Sequence, residues 1–187
     1  MASAPVTTEK LLTVEEYLLL PDNGQPTELV RGKIISMNVP YALHGWICTN
    51  VGRILGNFVK ENDSGYVIGN DSGVVTERIP DTVRGADIAF YSYARLPKGS
   101  SLEGYPAVAP DVVFEVKTPS DRWNEILTKV AEYLNAGVQV VCVVDPECRT
   151  VTVYRPDQPQ IILRNEDELA FPSILPGFTV RISQFFA

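Results

Sequence analysis

At 187 residues, 45% hydrophobic and 21% charged, the chain has the size and balance of one globular domain, 1–187, and is neither disordered, fibrous nor a solenoid. No apolar run approaches the roughly 20 residues of a membrane-spanning helix, and the N-terminus has no basic stretch leading into an apolar one, so the expected place is cytoplasmic, with no membrane partner. A net charge of −7, from 16 basic and 23 acidic residues, argues against broad phosphate neutralisation; any nucleic-acid contact must be local, weak or metal-assisted.

Thr13 followed by Glu16 is a capping box, which predicts a helix over 14–20 stopped by Pro21-Asp22-Asn23-Gly24. Runs at 27–30 and 33–37 joined by Arg31-Gly32 predict a tight β-hairpin, with Glu28 in its first strand. Leu43, Ile47, Val51, Ile54, Leu55, Phe58 and Val59 recur at helical spacing, so 42–62 reads as a long amphipathic helix against a sheet. Strand-like runs follow at 66–69, 73–77, 86–92 and 111–118, separated by turn-rich segments. Ser120 or Asp121 is placed to cap a second long helix, with Trp123, Ile126, Leu127, Val130 and Leu134 on its apolar face and Gly137 ending it. The apolar run 138–144 comes next, so strand, helix and strand form a βαβ unit with parallel strands. Runs at 150–154 and 160–163 read as antiparallel strands, and the tail packs back on the core. The fold class is α/β, with a mixed sheet.

The segment Asp111-Val112-Val113-Phe114-Glu115-Val116-Lys117 sets a carboxylate and an ammonium into an apolar strand, where unpaired charge is expensive. On a strand Glu115 and Lys117 share a face about 6.6 Å apart at the backbone, and Val112, Phe114 and Val116 take the other. That pair suits phosphodiester hydrolysis: the carboxylate holds Mg²⁺, and the lysine orients the attacking water and offsets developing charge. A second carboxylate is needed. Asp111 lies about 13 Å along the same strand, too far for Mg–O bonds of about 2.1 Å. Asp87, on a separate strand, is the better second ligand, and Glu28 is a third carboxylate for the site.

Asp87 with Glu115-Val116-Lys117 resembles the D…ExK core of the PD-(D/E)xK nuclease superfamily, and the arrangement around it is similar to the Uma2 (DUF820) family of restriction-endonuclease-like proteins. The likeness spans nearly the whole chain: the hairpin Thr27-Glu28-Leu29-Val30-Arg31-Gly32-Lys33, His44, Asp87, the strand into Val116, Pro119-Ser120, and Lys129 and Tyr133 ahead of Ala136-Gly137-Val138. Gly85-Ala86 stands where the superfamily often has a proline. The resemblance implies a restriction-endonuclease-like core with a mixed central sheet flanked by helices, Mg²⁺- or Mn²⁺-dependent endonuclease activity, and a homodimer. Asp87 and Glu115 would be the metal ligands, and Glu28, Asp87, Glu115 and Lys117 the catalytic set.

Plainer readings stand beside these. Glu115 and Lys117 would serve equally as a structural ion pair, Asp87 as an edge residue bonding backbone amides, and Glu28 as a cross-strand partner of a basic residue. His44, the one histidine, is ordinarily a packing or capping residue at such a position. Lys129 and Tyr133, one helical turn apart, either point toward the site or a phosphate or, on the plainer reading, are a solvated lysine and a half-buried tyrosine; Trp46 and Trp123 read as core. Cys48, Cys142 and Cys148 form no CxxC pair and read as incidental thiols, not a disulfide framework or structural zinc site. Three functions compete: a DNA endonuclease, a hydrolase of a small nucleotide phosphodiester, and a non-catalytic dimeric module that keeps the fold.

Overall fold

The Thr13 hydroxyl accepts the Glu16 N–H and the Glu16 carboxylate accepts the Thr13 N–H, so the capping box forms and starts α1 (Val14–Leu18). The computed structural model describes residues 10–21 and 24–187; Asp22 and Asn23 of the expected stop signal lie outside the described residues. β1 (Thr27–Val30) and β2 (Lys33–Ser36) pair antiparallel across Arg31-Gly32, both at positive φ, 49° and 75°. A side chain at Gly32 would meet Leu11 Cβ at 2.6 Å, so both backbone and space require glycine there.

α2 (Ala42–Glu61) buries Ile47, Val51, Leu55 and Val59, one residue in four. Next come β3 (Gly65–Glu77), β4 (Thr82–Ser92), β5 (Val112–Val116), α3 (Trp123–Asn135), β6 (Val140–Asp145), β7 (Thr150–Tyr154), β8 (Ile161–Leu163), β9 (Glu168–Phe171), β10 (Leu175–Arg181) and a 3₁₀ turn (Ile182–Phe186). The two runs expected at 66–69 and 73–77 are one strand, β3, continued through an irregularity at Asn70 and Asp71. Neither Ser120 nor Asp121 caps α3: its first turn follows Arg122 with no side-chain cap, and the Asp121 carboxylate instead accepts the Thr118 N–H at 2.7 Å.

The main sheet runs β2-β1-β4-β5-β6-β7-β8, with β3 also paired to β4. β5 and β6 are parallel, as the βαβ reading requires, and the other pairs are antiparallel. One face packs on α2, the β9–β10 ribbon and the 3₁₀ turn, around Ile47, Leu55, Phe114, Cys142, Phe171 and Phe185. The other face packs on α3, with Ile126, Val130 and Tyr133 against Val113, Val141 and Val143. Burying each such side chain is worth about 1.5–3 kcal/mol, which fixes α3 against the sheet. Trp46 and Trp123 are not core: they are 53% and 42% exposed, because each sits off its helix's buried stripe. Leu127 is likewise exposed. Among the described residues no helix is long and apolar enough to cross a membrane.

Candidate active site

β3 occupies one edge of β4, so β1 and β5 must share the other edge. β1 meets it at Val83 and β5 from Ile88 to Phe90. Between these contacts, at residues 84–87, no strand completes the ladder, and carboxylates take its place. Glu28 Oε1 accepts the Gly85 N–H at 3.1 Å, and Asp87 Oδ2 accepts the Val116 N–H at 2.6 Å. The β4–β5 register, continued one residue past Ile88↔Phe114, sets Asp87 opposite Glu115. Glu28, Asp87 and Glu115 all line one cleft of about 710 Å³. Three of the four residues named from the sequence therefore come together.

Lys117 does not join them. The period-two argument that aimed it at the site holds only while the strand lasts, and β5 ends at Val116. The Lys117 N–H bonds Val144 O at 2.9 Å, and its amine lies 3.9 Å from both Asp145 Oδ2 and Glu147 Oε2 and over the Trp123 ring. The cleft receives its ammonium from α3 instead: Lys129 Nζ is 2.8 Å from Glu28 Oε1 and 3.6 Å from Glu115 Oε2. Lys129 is thus not solvated, nor is Tyr133 half-buried. Tyr133 is fully buried and donates its hydroxyl hydrogen bond to Glu115 Oε1 at 2.7 Å. Lys129 and Tyr133 are four apart, the spacing that puts both on the same helix face as Ile126 and Val130. That periodicity was a readable signal for both.

Glu28 is also the cross-strand partner of a basic residue. Its Oε2 accepts from Arg84 at 2.7 Å, and Arg84 reaches on to Glu132. With Lys129, Arg84 and the Gly85 N–H on its two oxygens, Glu28 holds cations in place and has little left to offer a metal.

Electrostatics separate the roles. Burial pushes Glu115 up to about 7; Lys129 and Tyr133 pull against that, while Asp87 and Glu28 add to it. Burial disfavours charge on Lys129, but Glu115 and Glu28 outweigh it and raise its pKa, so it is a permanent ammonium and not a base. His44 donates toward Asp87, with Nε2 3.1 Å from Oδ1. Its burial also opposes charge, yet Asp87, Asp71 and Asp121 raise its pKa overall.

Sequence reasoning missed Asp71. The β3–β4 register steps from Gly69↔Ile88 to Ser72↔Ala86, so Asn70 and Asp71 bulge opposite Asp87 alone, both at positive φ. Asp71 stands at the exposed rim of the cleft, its pKa raised by partial desolvation and by the Asp87 carboxylate beside it. A Cβ at Gly85 would lie 2.9 Å from Asp71 O, which explains the glycine two residues before Asp87. Asn-Asp, two residues that tolerate positive φ, followed by Ser-Gly was the available signal for the bulge.

Asp87 and Glu115 are hard oxygen donors on adjacent strands, with Asp71 beside Asp87, and a cation there would relieve the crowding of negative charge; the donor types fit a divalent ion such as Mg²⁺. Comparison with known proteins agrees with the fold. A profile of the Uma2 family, described as "Putative restriction endonuclease", matches residues 14–183. No curated protein matches the sequence. A solved structure titled as a "putative nuclease belonging to DUF820" from Anabaena variabilis ATCC 29413 superposes with a TM-score of 0.81 at 23% identity, covering 94% of this chain and 97% of that one. The mixed sheet flanked by helices is therefore the restriction-endonuclease-like core that the resemblance implied.

Proposed function

Because the chain belongs to the Uma2 family, we propose that it is a metal-dependent nuclease of the PD-(D/E)xK type, hydrolysing DNA phosphodiesters with Mg²⁺ or Mn²⁺ held by Asp87 and Glu115. One observation carries the reading: a half-buried ammonium, Lys129, bridges Glu115 and Glu28 on the wall of a cleft that Asp87 also enters. A divalent ion bound there would polarise the phosphate and acidify a water. Lys129, always charged, orients that water or the scissile phosphate and offsets the charge that develops in the transition state. It takes the part that the ExK spacing suggested for Lys117. Glu28 fixes the amine. The Tyr133 hydroxyl and the Val116 N–H each occupy one oxygen of Glu115 and Asp87, which sets the carboxylate planes.

A second reading, hydrolysis of a short nucleotide phosphodiester, draws support from the acidic cleft wall, where Asp71 and Asp121 join the site carboxylates. Supercoiled plasmid and dinucleotides, each incubated with Mg²⁺ or Mn²⁺, separate the two. The expected result is plasmid nicking that Glu115→Ala abolishes. Cleavage of dinucleotides alone favours the short substrate, and no cleavage of either leaves the non-catalytic module.

We also propose a homodimer. β2 ends the sheet on one side and presents Ile34 and Ile35, 46% and 45% exposed, as an edge on which a second copy can pair.

A further inference from the structure

His44 and Cys48 lie four residues apart on α2, the spacing that stacks two side chains on one helix face and lets them reach one ion. Both turn toward Asp87. His44 Nε2 is 3.1 Å from Asp87 Oδ1 and 3.9 Å from Cys48 Sγ, and donor atoms from all three residues lie within 4.8 Å of one another. A tetrahedral ion with bonds of about 2.0–2.3 Å holds its donors roughly 3.3–3.8 Å apart, so small side-chain rotations close these three on one centre. A second opening of about 510 Å³, lined by His44, Cys48, Asn70, Asp71 and Asp87, gives solvent access from between α2 and the β3 bulge.

We propose that His44, Cys48 and Asp87 form a binding position for a borderline transition-metal ion such as Zn²⁺ or Co²⁺, with Asp71 at its rim as the fourth donor. The donor types make the assignment. A nitrogen, a sulfur and a carboxylate suit tetrahedral Zn²⁺ or Co²⁺, whereas Mg²⁺ demands oxygen and leaves a thiol aside. Coordination transfers the Cys48 proton to solvent and leaves a thiolate on the metal. Asp87 belongs to this position and to the oxygen-ligated one beside it, so a transition ion bound to His44 and Cys48 draws Asp87 away from Mg²⁺. The ligand set stands by itself; its consequence, inhibition of Mg²⁺-supported hydrolysis by Zn²⁺, rests on the proposed nuclease reading.

The full chain carrying Cys148→Ser removes the exposed thiol, and Cys142 is fully buried. Titrated with Co²⁺, this protein is expected to develop a near-ultraviolet thiolate-to-cobalt charge-transfer band that saturates at one ion per chain. Adding Cys48→Ser is expected to remove the band and to weaken Zn²⁺, measured against a chromophoric chelator, by roughly 10- to 100-fold or more. X-ray absorption of the Zn²⁺-loaded Cys148→Ser protein, which needs no change at Cys48, should find one sulfur at about 2.3 Å. Absence of the band or of the sulfur, or a band that survives Cys48→Ser, overturns the proposal. Plasmid nicking with Mg²⁺ alone reports separately on the nuclease: a band without nicking keeps this site and removes the nuclease, and nicking without a band does the reverse.

Discussion

An ammonium and a carboxylate withdrawn from water are each costly alone, and around the half-buried Lys129 every such group is paired: with Glu28, with Glu115, and through Glu28 with Arg84 and Glu132. Removing the amine leaves Glu115 with the Tyr133 hydroxyl but no counter-ion, and Glu28 with Arg84 alone. Lys129→Met is therefore expected to lower plasmid nicking by about 100-fold or more, with a loss of stability of roughly 3–5 kcal/mol read from urea unfolding of the same preparation. Lys117→Met should retain nicking within a few-fold, since that amine faces Asp145 and Glu147. The reverse ranking would return the catalytic lysine to the ExK position. Glu115 and Asp87 were readable from the sequence because a carboxylate interrupting an apolar strand has few structural uses. Lys117 escapes the two-residue alternation because it lies one position past the end of β5. A lone histidine such as His44 carries no pattern until Cys48, one turn on, is read with it.

The gap in the sheet depends on how elements dock. α1 is tied to the turn before β4 through the Asp81 side chain, which accepts from the Val14 N–H at 2.8 Å, the Ile79 N–H at 3.0 Å and Arg78 at 3.1 Å. Burial raises the Asp81 pKa, but these donors outweigh it and the net shift is downward. A depressed folded-state pKa contributes stability that is present above the unfolded value, 3.8, and lost as pH falls through the lower folded value. Asp81→Ala is expected to cost about 1–3 kcal/mol at neutral pH. The gap between parent and variant melting temperatures should narrow as pH drops below the ordinary aspartate range; a gap that stays constant with pH would contradict the anchoring role. At this scale much was legible. The capping box, the Arg31-Gly32 turn, the one-in-four stripe of α2 and the βαβ order each follow from local periodicity or turn chemistry. The β3 bulge and the shared edge of β4 were not, because both depend on register between strands distant in sequence.

The whole molecule combines an acidic surface with a site whose cleft wall carries Lys129 as its one lysine or arginine among the described residues. Affinity for a phosphate backbone must then come through a bound cation more than through side-chain charge. The proposed dimer would enlarge the contact without adding to that charge. Light scattering on the eluted protein is expected to give twice the 20.6 kDa chain mass, and Ile35→Lys on the outer strand should return it to a monomer; a parent that runs as a monomer excludes β2 pairing. The proposed chemistry stands or falls with a divalent cation held by Asp87 and Glu115. Calorimetric titration of Mn²⁺ into the parent protein and into Asp87→Asn tests it most directly, since the asparagine keeps the oxygen that accepts the Val116 N–H while losing the charge. Saturable binding in the parent that falls at least about tenfold in Asp87→Asn, at an unchanged melting temperature, is the result predicted. No binding in the parent, or equal binding in both, would contradict it.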